Sequence, residues 1–193
     1  MKRDMILAGV GGQGLLALTG VIGAAALQRG LYIKQSEVHG MAQRGGGVQS
    51  HLRYADRPIH SDLIPQGTAD LILALEPMEA LRYLAYLSPD GALVSSSTPV
   101  RNIPDYPDEQ ILAEELGRVE TLCLVDAAAL AREAGTVQCA NIVMLGAASS
   151  YLRLTDDELM GAIRSFFSTR GERIIETNLT AFRLGIEAAQ QTT

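Results

Sequence analysis

Cysteine is scarce in this 193-residue chain. Cys123 and Cys139 are the only two, and no Cys-x-x-Cys spacing occurs. Two isolated thiols exclude an iron–sulfur or zinc site built from this chain alone, and they suit a reducing compartment such as the cytoplasm. The three histidines, His39, His51 and His60, show no metal-ligand spacing, so no metal site is expected. Positive charge is also short: 16 Lys and Arg face 22 Asp and Glu, a net charge of -6. A general attraction to nucleic acid or to an anionic membrane surface is therefore excluded, and any bound anion must be held by local geometry. No stretch is long and apolar enough to span a bilayer. The opening segment, "MKRDMILAGVGGQGLLALTGVIGAAAL", has the basic-then-apolar outline of an export signal. Asp4 interrupts its basic start, however, and "GVGGQG" would break a single apolar helix. Linkers, repeats and low-complexity tracts are missing too, which leaves one domain over residues 1–193.

Apolar and charged residues make up 47% and 20% of the chain, enough for one α/β domain with a sizeable core. "MILAGV" reads as a buried strand, Gly9–Gly14 as a turn, and "LLALTGVIGAAALQRG" as a helix stopped by Gly30. "LYIKQSEV" is a second strand. In "VQSHLRYA", Val48, Ser50, Leu52 and Tyr54 alternate as in a half-exposed strand. "DLILAL" is a buried strand leading into a helix with Pro77 in its first turn. "GALVSSS" and "VETLCLVDA" are further strands, "EQILAEEL" and "DAAALAREAG" further helices, and Gly135 stops the latter. Three helices follow, beginning at Asn141, Thr155 and Glu172, the second with Thr155 and Glu158 in capping-box spacing. Strands joined through helices predict a single-domain, Rossmann-like α/β fold, a largely parallel sheet with helices on both faces.

Gly9, Gly11 and Gly14 fit G-x-G-x-x-G between a strand and a helix. Gly11, Gly12 and Gly14 let backbone N–H groups approach an anion, and the Gln13 amide stands at the same mouth. The alternative is that these glycines serve only close strand–helix packing. A dinucleotide site would want an acidic residue roughly 20 residues on, and Glu37 is near that place. No dehydrogenase constellation follows it, and no catalytic residue is assigned. The second glycine loop is less ordinary: "SEVHGMAQRGGGVQSHLRY" combines Arg44, a planar fork for phosphate, with Gly45 and Gly46, an anion-binding nest. Ser36 and His39 are candidates for its polar lining. A solvated surface loop is the plain alternative. Both loops follow strands, so both are predicted at the carboxyl edge of the sheet, where open α/β sheets bind ligands. Asn141 either reaches that edge or caps a helix.

"GVGGQG", "SEVHGMAQRGGGVQSHLR", "ADLILALEPMEALR", "NIVMLGA" and "ETNLTAFRLG" occur in order along nearly the whole chain. Together they resemble the gamma-type subunits (the pyruvate/ketoisovalerate oxidoreductase gamma type) of the 2-oxoacid:ferredoxin oxidoreductases. They are most similar to the small (beta) subunit of the indolepyruvate enzymes. The resemblance implies a share in oxidative decarboxylation: an aryl 2-oxoacid and coenzyme A give an acyl-CoA and carbon dioxide while ferredoxin is reduced. It also implies thiamine diphosphate and iron–sulfur clusters. The Gly-Asp-Gly and Asn signature of a thiamine site is missing from "PDGALVSS", the nearest stretch. Those groups are therefore expected on a large thiamine diphosphate and ferredoxin-type partner, the indolepyruvate oxidoreductase alpha subunit, with ferredoxin met through the complex. Coenzyme A, as a substrate, is what the glycine loops here are expected to contact. Apolar stretches such as "NIVMLGAASSYLRL" serve either core or interface, which leaves a homodimer of the isolated chain open. The competing reading is a stand-alone Rossmann-like nucleotide-binding protein or dehydrogenase.

Overall fold

The run "MILAGV" lies at the centre of the molecule. In the computed structural model, which describes residues 1–39 and 45–192, it forms most of strand β1 (Lys2–Val10), buried from Asp4 onward. Successive side chains enter opposite layers: Met5 and Leu7 join one hydrophobic cluster, Ile6 and Ala8 the other. A strand covered on both faces has no polar side to show, so it reads as a continuous apolar run.

Helix α1 (Leu15–Gln28) leads to β2 (Tyr32–His39), which returns as β3 (Gly47–Ala55). Then come β4 (Ala69–Ala74), α2 (Pro77–Arg82), β5 (Leu87–Ser96), α3 (Glu109–Leu116), β6 (Leu122–Val125) and α4 (Ala127–Ala134). The chain ends with α5 (Ala140–Leu152), α6 (Asp156–Phe166) and α7 (Glu172–Thr192). The six strands form one sheet in the order β2-β3-β1-β4-β5-β6. Strands β1, β4, β5 and β6 are mutually parallel, whereas β3 runs antiparallel to both β1 and β2. The sheet is thus mostly parallel, with α1 and α4–α7 packed on one face and α2 and α3 on the other.

One feature adds to the sequence reading and one differs from it. The second strand does not adjoin the first, because β3 is folded back between them. The 40–46 connection is too short for the crossover that a parallel pair needs, so β2 and β3 pair as a hairpin. Nor is β3 half-exposed. Val48, Leu52 and Tyr54 enter the large cluster, and the opposite side is roofed by the segment after β3. There His51 is buried, its Nδ1 accepts the Ile64 N–H at 3.0 Å, and its ring meets Tyr86 edge-on. Burial, aided by Arg53, lowers the His51 pKa, in keeping with a neutral acceptor nitrogen. Asp4, the residue that interrupts the basic start, is also buried. It receives Arg53 bidentately at 2.9 and 2.8 Å from the facing position of β3. Arg53 in turn donates to the carbonyls of Ser61 and Leu63, which fastens the roof.

The helix ends follow local chemistry. Thr155 and Glu158 close a reciprocal capping box, with Oγ1 accepting the Glu158 N–H and Oε2 accepting the Thr155 N–H. Gly30 and Gly135 stop α1 and α4 at φ of 80° and 118°.

Helix α5 is buried on all sides from Asn141 to Ser149, between the sheet and α7. Its contact with α7 is backbone on backbone. A methyl on Gly146 would lie 2.0 Å from the Phe182 carbonyl oxygen, and one on Gly185 2.0 Å from that of Val143. Neither neighbour is a side chain that can swing away. Gly146→Ala and Gly185→Ala are each expected to destabilise the protein by about 3 kcal/mol or more in urea unfolding, at the severe end of overpacking. Gly161→Ala, in α6 with no atom near the added methyl, is expected to stabilise it by roughly 0.5–1 kcal/mol.

Candidate functional site

The carboxyl ends of β1 and β4 mark the place where the chain leaves β1 toward one side of the sheet and later resumes on the other. Such a switch point leaves a crevice between diverging connections. The bend Gly11–Gly14 lies there and opens α1. Gly12 and Gly14 have φ of 105° and 84°, a region L side chains rarely adopt, and Gly14 is the N-cap of α1.

Each residue of the bend has a separate task. Gln13 ties strand ends together: its Oε1 accepts the Val10 N–H at 2.7 Å and its Nε2 donates to the Leu75 carbonyl at 2.9 Å. A methyl on Gly9 would come within 2.9 Å of that Oε1. A methyl on Gly14 would come within 2.5 Å of Asn141 Nδ2, which donates to the Gly14 carbonyl at 3.0 Å. Gly9 and Gly14 thus give clearance to two amide straps. Gly12 is exposed, with no atom near the position of a Cβ. The Gly11 N–H is donated to Gly46 and the Gln13 N–H to Val10, whereas the N–H groups of Gly12 and Gly14 have no partner among the described residues.

The second glycine bend lies directly against the first. The last β1–β3 pair is Val10 with Gly47, and the ladder continues beyond it. Gly11 N–H donates to the Gly46 carbonyl at 2.8 Å, and Gly45 N–H to the Gly11 carbonyl at 3.3 Å. Asn102, from the β5–α3 loop, donates to the Gly45 carbonyl at 2.7 Å. Gly11, Gly12, Gln13, Gly14, Gly45 and Gly46 are therefore one surface. Ser36 is not on it: it lies mid-strand in β2, level with His51 and Ile6 and two strands from β1. Glu37 is likewise two strands away, opposite Ser50, so it is not placed as a ribose-binding acid beside β1. His39 ends β2 opposite Val48. Arg44 lies outside the described residues. Asn141 reaches the edge through Gly14, and its Oδ1 also accepts the Ile142 N–H at 2.9 Å in the first turn of α5, whose N-cap is Cys139.

Two buried acids escaped the sequence reading. Glu76 caps α2, its Oε2 accepting the Glu79 N–H at 2.8 Å, while its Oε1 accepts the Val100 N–H at 3.3 Å and the Tyr106 hydroxyl. Glu79, equally buried, receives Arg82 Nε on Oε2 at 3.2 Å. Its Oε1 has no partner among the described residues. The carboxylate packs against Gly47, where a methyl would come within 2.9 Å of Oε2. Burial raises the Glu79 pKa and outweighs the opposing pull of Arg82. The available signal was a Glu immediately before Pro77 at a strand–helix junction, a capping position; burial of Glu79 has no such mark.

A cleft of about 340 Å³ opens from Gly12 and Gln13 between the ends of β4 and β5 and the starts of α4 and α5. Leu75, Val100, Val137 and Met144 give it apolar walls, and Ser96, Thr98, Gln138 and Asn141 polar ones. Among the described residues no charged side chain lines it. Cys123 and Cys139 are free and buried, burial raises both thiol pKa values, and the described residues gather no group of three metal-binding side chains. Among the described residues no helix is long and apolar enough to cross a membrane.

Comparison with known proteins agrees with this architecture. Over 98% of its length the chain is 34% identical to 97% of the indolepyruvate oxidoreductase subunit IorB of Thermococcus kodakarensis. The pyruvate oxidoreductase subunit PORC of Thermotoga maritima shares the fold at a TM-score of 0.75 and 22% identity, over 96% of both chains. The 2-oxoglutarate:ferredoxin oxidoreductase of Magnetococcus marinus, solved with 2-oxoglutarate, coenzyme A and succinyl-CoA bound, shares it at 0.80 and 21%. That match covers 100% of this chain and 32% of the longer one. A family model described as pyruvate ferredoxin/flavodoxin oxidoreductase matches residues 4–188. The chain belongs to the pyruvate ferredoxin/flavodoxin oxidoreductase family, as a gamma-type subunit of its oxidoreductases.

Proposed function

We propose that this chain is the small subunit of an indolepyruvate, or related aryl 2-oxoacid, ferredoxin oxidoreductase, and that residues 1–193 act as one domain lining the coenzyme A side of a shared active site. The observation that carries the reading is the pair of hydrogen bonds between Gly11 and the Gly45–Gly46 bend, which gathers both glycine loops at the switch point. The N–H groups of Gly12 and Gly14, without a partner among the described residues, point to a phosphate or polar amide as ligand, and Gly12 leaves room for close approach. Gly45 and Gly46 complete this rim, and Arg44 and His39 are proposed to contribute to it, Arg44 as a charged fork. Gln13 contributes by holding the bend's shape. Ser36 contributes only through the β2–β3 hairpin.

The neutral cleft beside Gly12 suits an uncharged amide-bearing arm such as pantetheine. Two separate, buried cysteines support locating the clusters, and with them thiamine diphosphate, on the larger alpha-type partner. That partner passes electrons to ferredoxin. Two unpaired thiols also suit work in the cytoplasm. The dinucleotide alternative is not favoured, since β3 separates the acidic residue of β2 from the end of β1.

Purified alone, the chain is expected to be colourless and to reduce no nicotinamide. Co-expressed with the large subunit, it is expected to yield a brown complex that decarboxylates an aryl 2-oxoacid only when coenzyme A is present. Nicotinamide-dependent turnover by the isolated chain would instead establish the dehydrogenase reading. In that complex, Gly12→Ala, which strains a bend held at φ 105° and crowds its open side, and Arg44→Ala, which removes a charge-assisted contact, are each expected to raise the KM for coenzyme A about tenfold while leaving the KM for the 2-oxoacid unchanged. Wild-type coenzyme A dependence in both variants would remove the glycine bends from the site.

A further inference from the structure

Behind the strap from Asn141 to Gly14 lies a second cleft, of about 550 Å³, bounded by the start of α1, the α4–α5 connection and the α6–α7 corner. Its rim leaves large apolar side chains open to solvent. Leu16, in the first turn of α1, is 62% exposed, and Phe166, at the end of α6, is 39% exposed. The Phe166 ring lies so close over α1 that a methyl on Gly20 would fall 2.5 Å from it. Phe167 packs edge-on against the same ring. Phe166 is thus held in place from within while its outer side stays uncovered.

The charges here are of one sign. Arg170 and Arg173 line the cleft, both exposed, and among the described residues no Asp, Glu or Lys does. Neither guanidinium has a carboxylate partner among the described residues, although nearby Arg164 pairs with Glu172 and Glu176. Arg170 rests instead over Phe167, 5.9 Å from its ring centroid. Arg173 is in the first turn of α7, where a cation opposes the helix dipole and an acid brought from outside relieves the conflict. In a chain of net charge -6, such a place lets an acidic segment approach. Aromatic and Arg side chains without Lys, Asp or Glu are also the composition of a buried protein–protein contact.

We infer that this groove is a docking surface for the large subunit, which seats there a segment combining an apolar side chain with carboxylates. The apolar side chain packs on Leu16 and Phe166, and the carboxylates meet Arg170 and Arg173. The position suits that occupant. Asn141 and Gln138 line both this groove and the cleft at Gly12, so a chain seated here stands beside the open site that it completes. Arg170 and Arg173 therefore serve assembly, and contact with the substrate anion is left to the glycine bends. The inference rests on the reading of this chain as the small subunit of a larger complex, and it adds the face by which the partner is met.

The test uses the co-expressed complex and compares the wild type with Arg170→Glu/Arg173→Glu, Arg170→Gln/Arg173→Gln, Arg170→Lys/Arg173→Lys and Gly12→Ala. Dissociation on dilution is followed by mass photometry. The Glu pair is expected to raise the dissociation constant tenfold or more, since it turns two attractions into repulsions. The Lys pair, which keeps the charge, is expected to recover most of that loss, and Gly12→Ala to assemble as the wild type does. Added salt should weaken the wild-type complex more than the Gln pair, which has no charge there to screen. In a separate complex with both arginines intact, p-benzoylphenylalanine in place of Phe166 is expected to photo-cross-link to a large-subunit peptide containing Asp or Glu. That readout stands even if the Glu pair misfolds. Unchanged dissociation in the Glu pair, or a cross-link to a second copy of this chain, would overturn the docking surface and leave the small-subunit reading in place. If the wild type forms no complex with the large subunit, both are wrong.

Discussion

The ladder between β1 and β3 does not stop where the strands stop. Carried one step further, through Gly11, Gly45 and Gly46, it turns two loops 30 residues apart in sequence into one rim. This follows from the way β3 is inserted. A strand placed beside β1 in the antiparallel sense begins at the edge where β1 ends, so the loop feeding β3 must start from the same edge as the loop leaving β1. Had β2 paired directly with β1, with β3 beyond it, the glycines before β3 would lie a strand further from Gly11. The hairpin is therefore part of the site, though it contributes few side chains to it.

Glycine in these loops performs distinct jobs that one motif hides. Gly9 and Gly14 make room for the amides of Gln13 and Asn141, and those amides bind β1 to β4 and α1 to α5. Gly12 makes room for nothing within the protein. The packing role that G-x-G-x-x-G leaves undecided thus falls to Gly9 and Gly14, and the proposed ligand role to Gly12. The bend is rigid because its neighbours hold it, and open where a left-handed glycine faces the cleft. Preorganisation of this kind lowers the entropy that a flexible loop would lose on binding.

How much of this was legible depended on whether the cause was local. The buried run "MILAGV", the Thr155–Glu158 box and the stops at Gly30 and Gly135 are local matters, and they stand as the sequence indicates. The meeting of both glycine bends at one edge was also legible, because each follows a strand running the same way. What escaped was long-range. The order of β1, β2 and β3 turns on which strands pair, and a short connector implies a hairpin without naming its neighbour. The bonds of Gln13 to Val10 and Leu75 are likewise announced by nothing nearby in sequence. Glu76 and Glu79 look like an ordinary solvated helix start until the 98–106 loop meets the first and Gly47 packs against the second. Gly146 and Gly185 are 39 positions apart, and only the crossing of α5 and α7 explains either.

The buried acids also bear on how a protein with excess negative charge can present an anion site. Glu79 packs beside Gly47, next to the bend proposed to meet phosphate. A fully charged carboxylate there would repel the ligand, since low-dielectric surroundings strengthen the field of a buried charge. Its burial disfavours that charge, and Arg82 balances what remains. Glu76 is occupied by the Glu79 and Val100 N–H groups and the Tyr106 hydroxyl, which direct its charge into the loops it holds. The acids thus shape the edge while adding little repulsion to it. Amides released by left-handed glycines then set the local field at this edge, although the molecule as a whole carries the opposite sign.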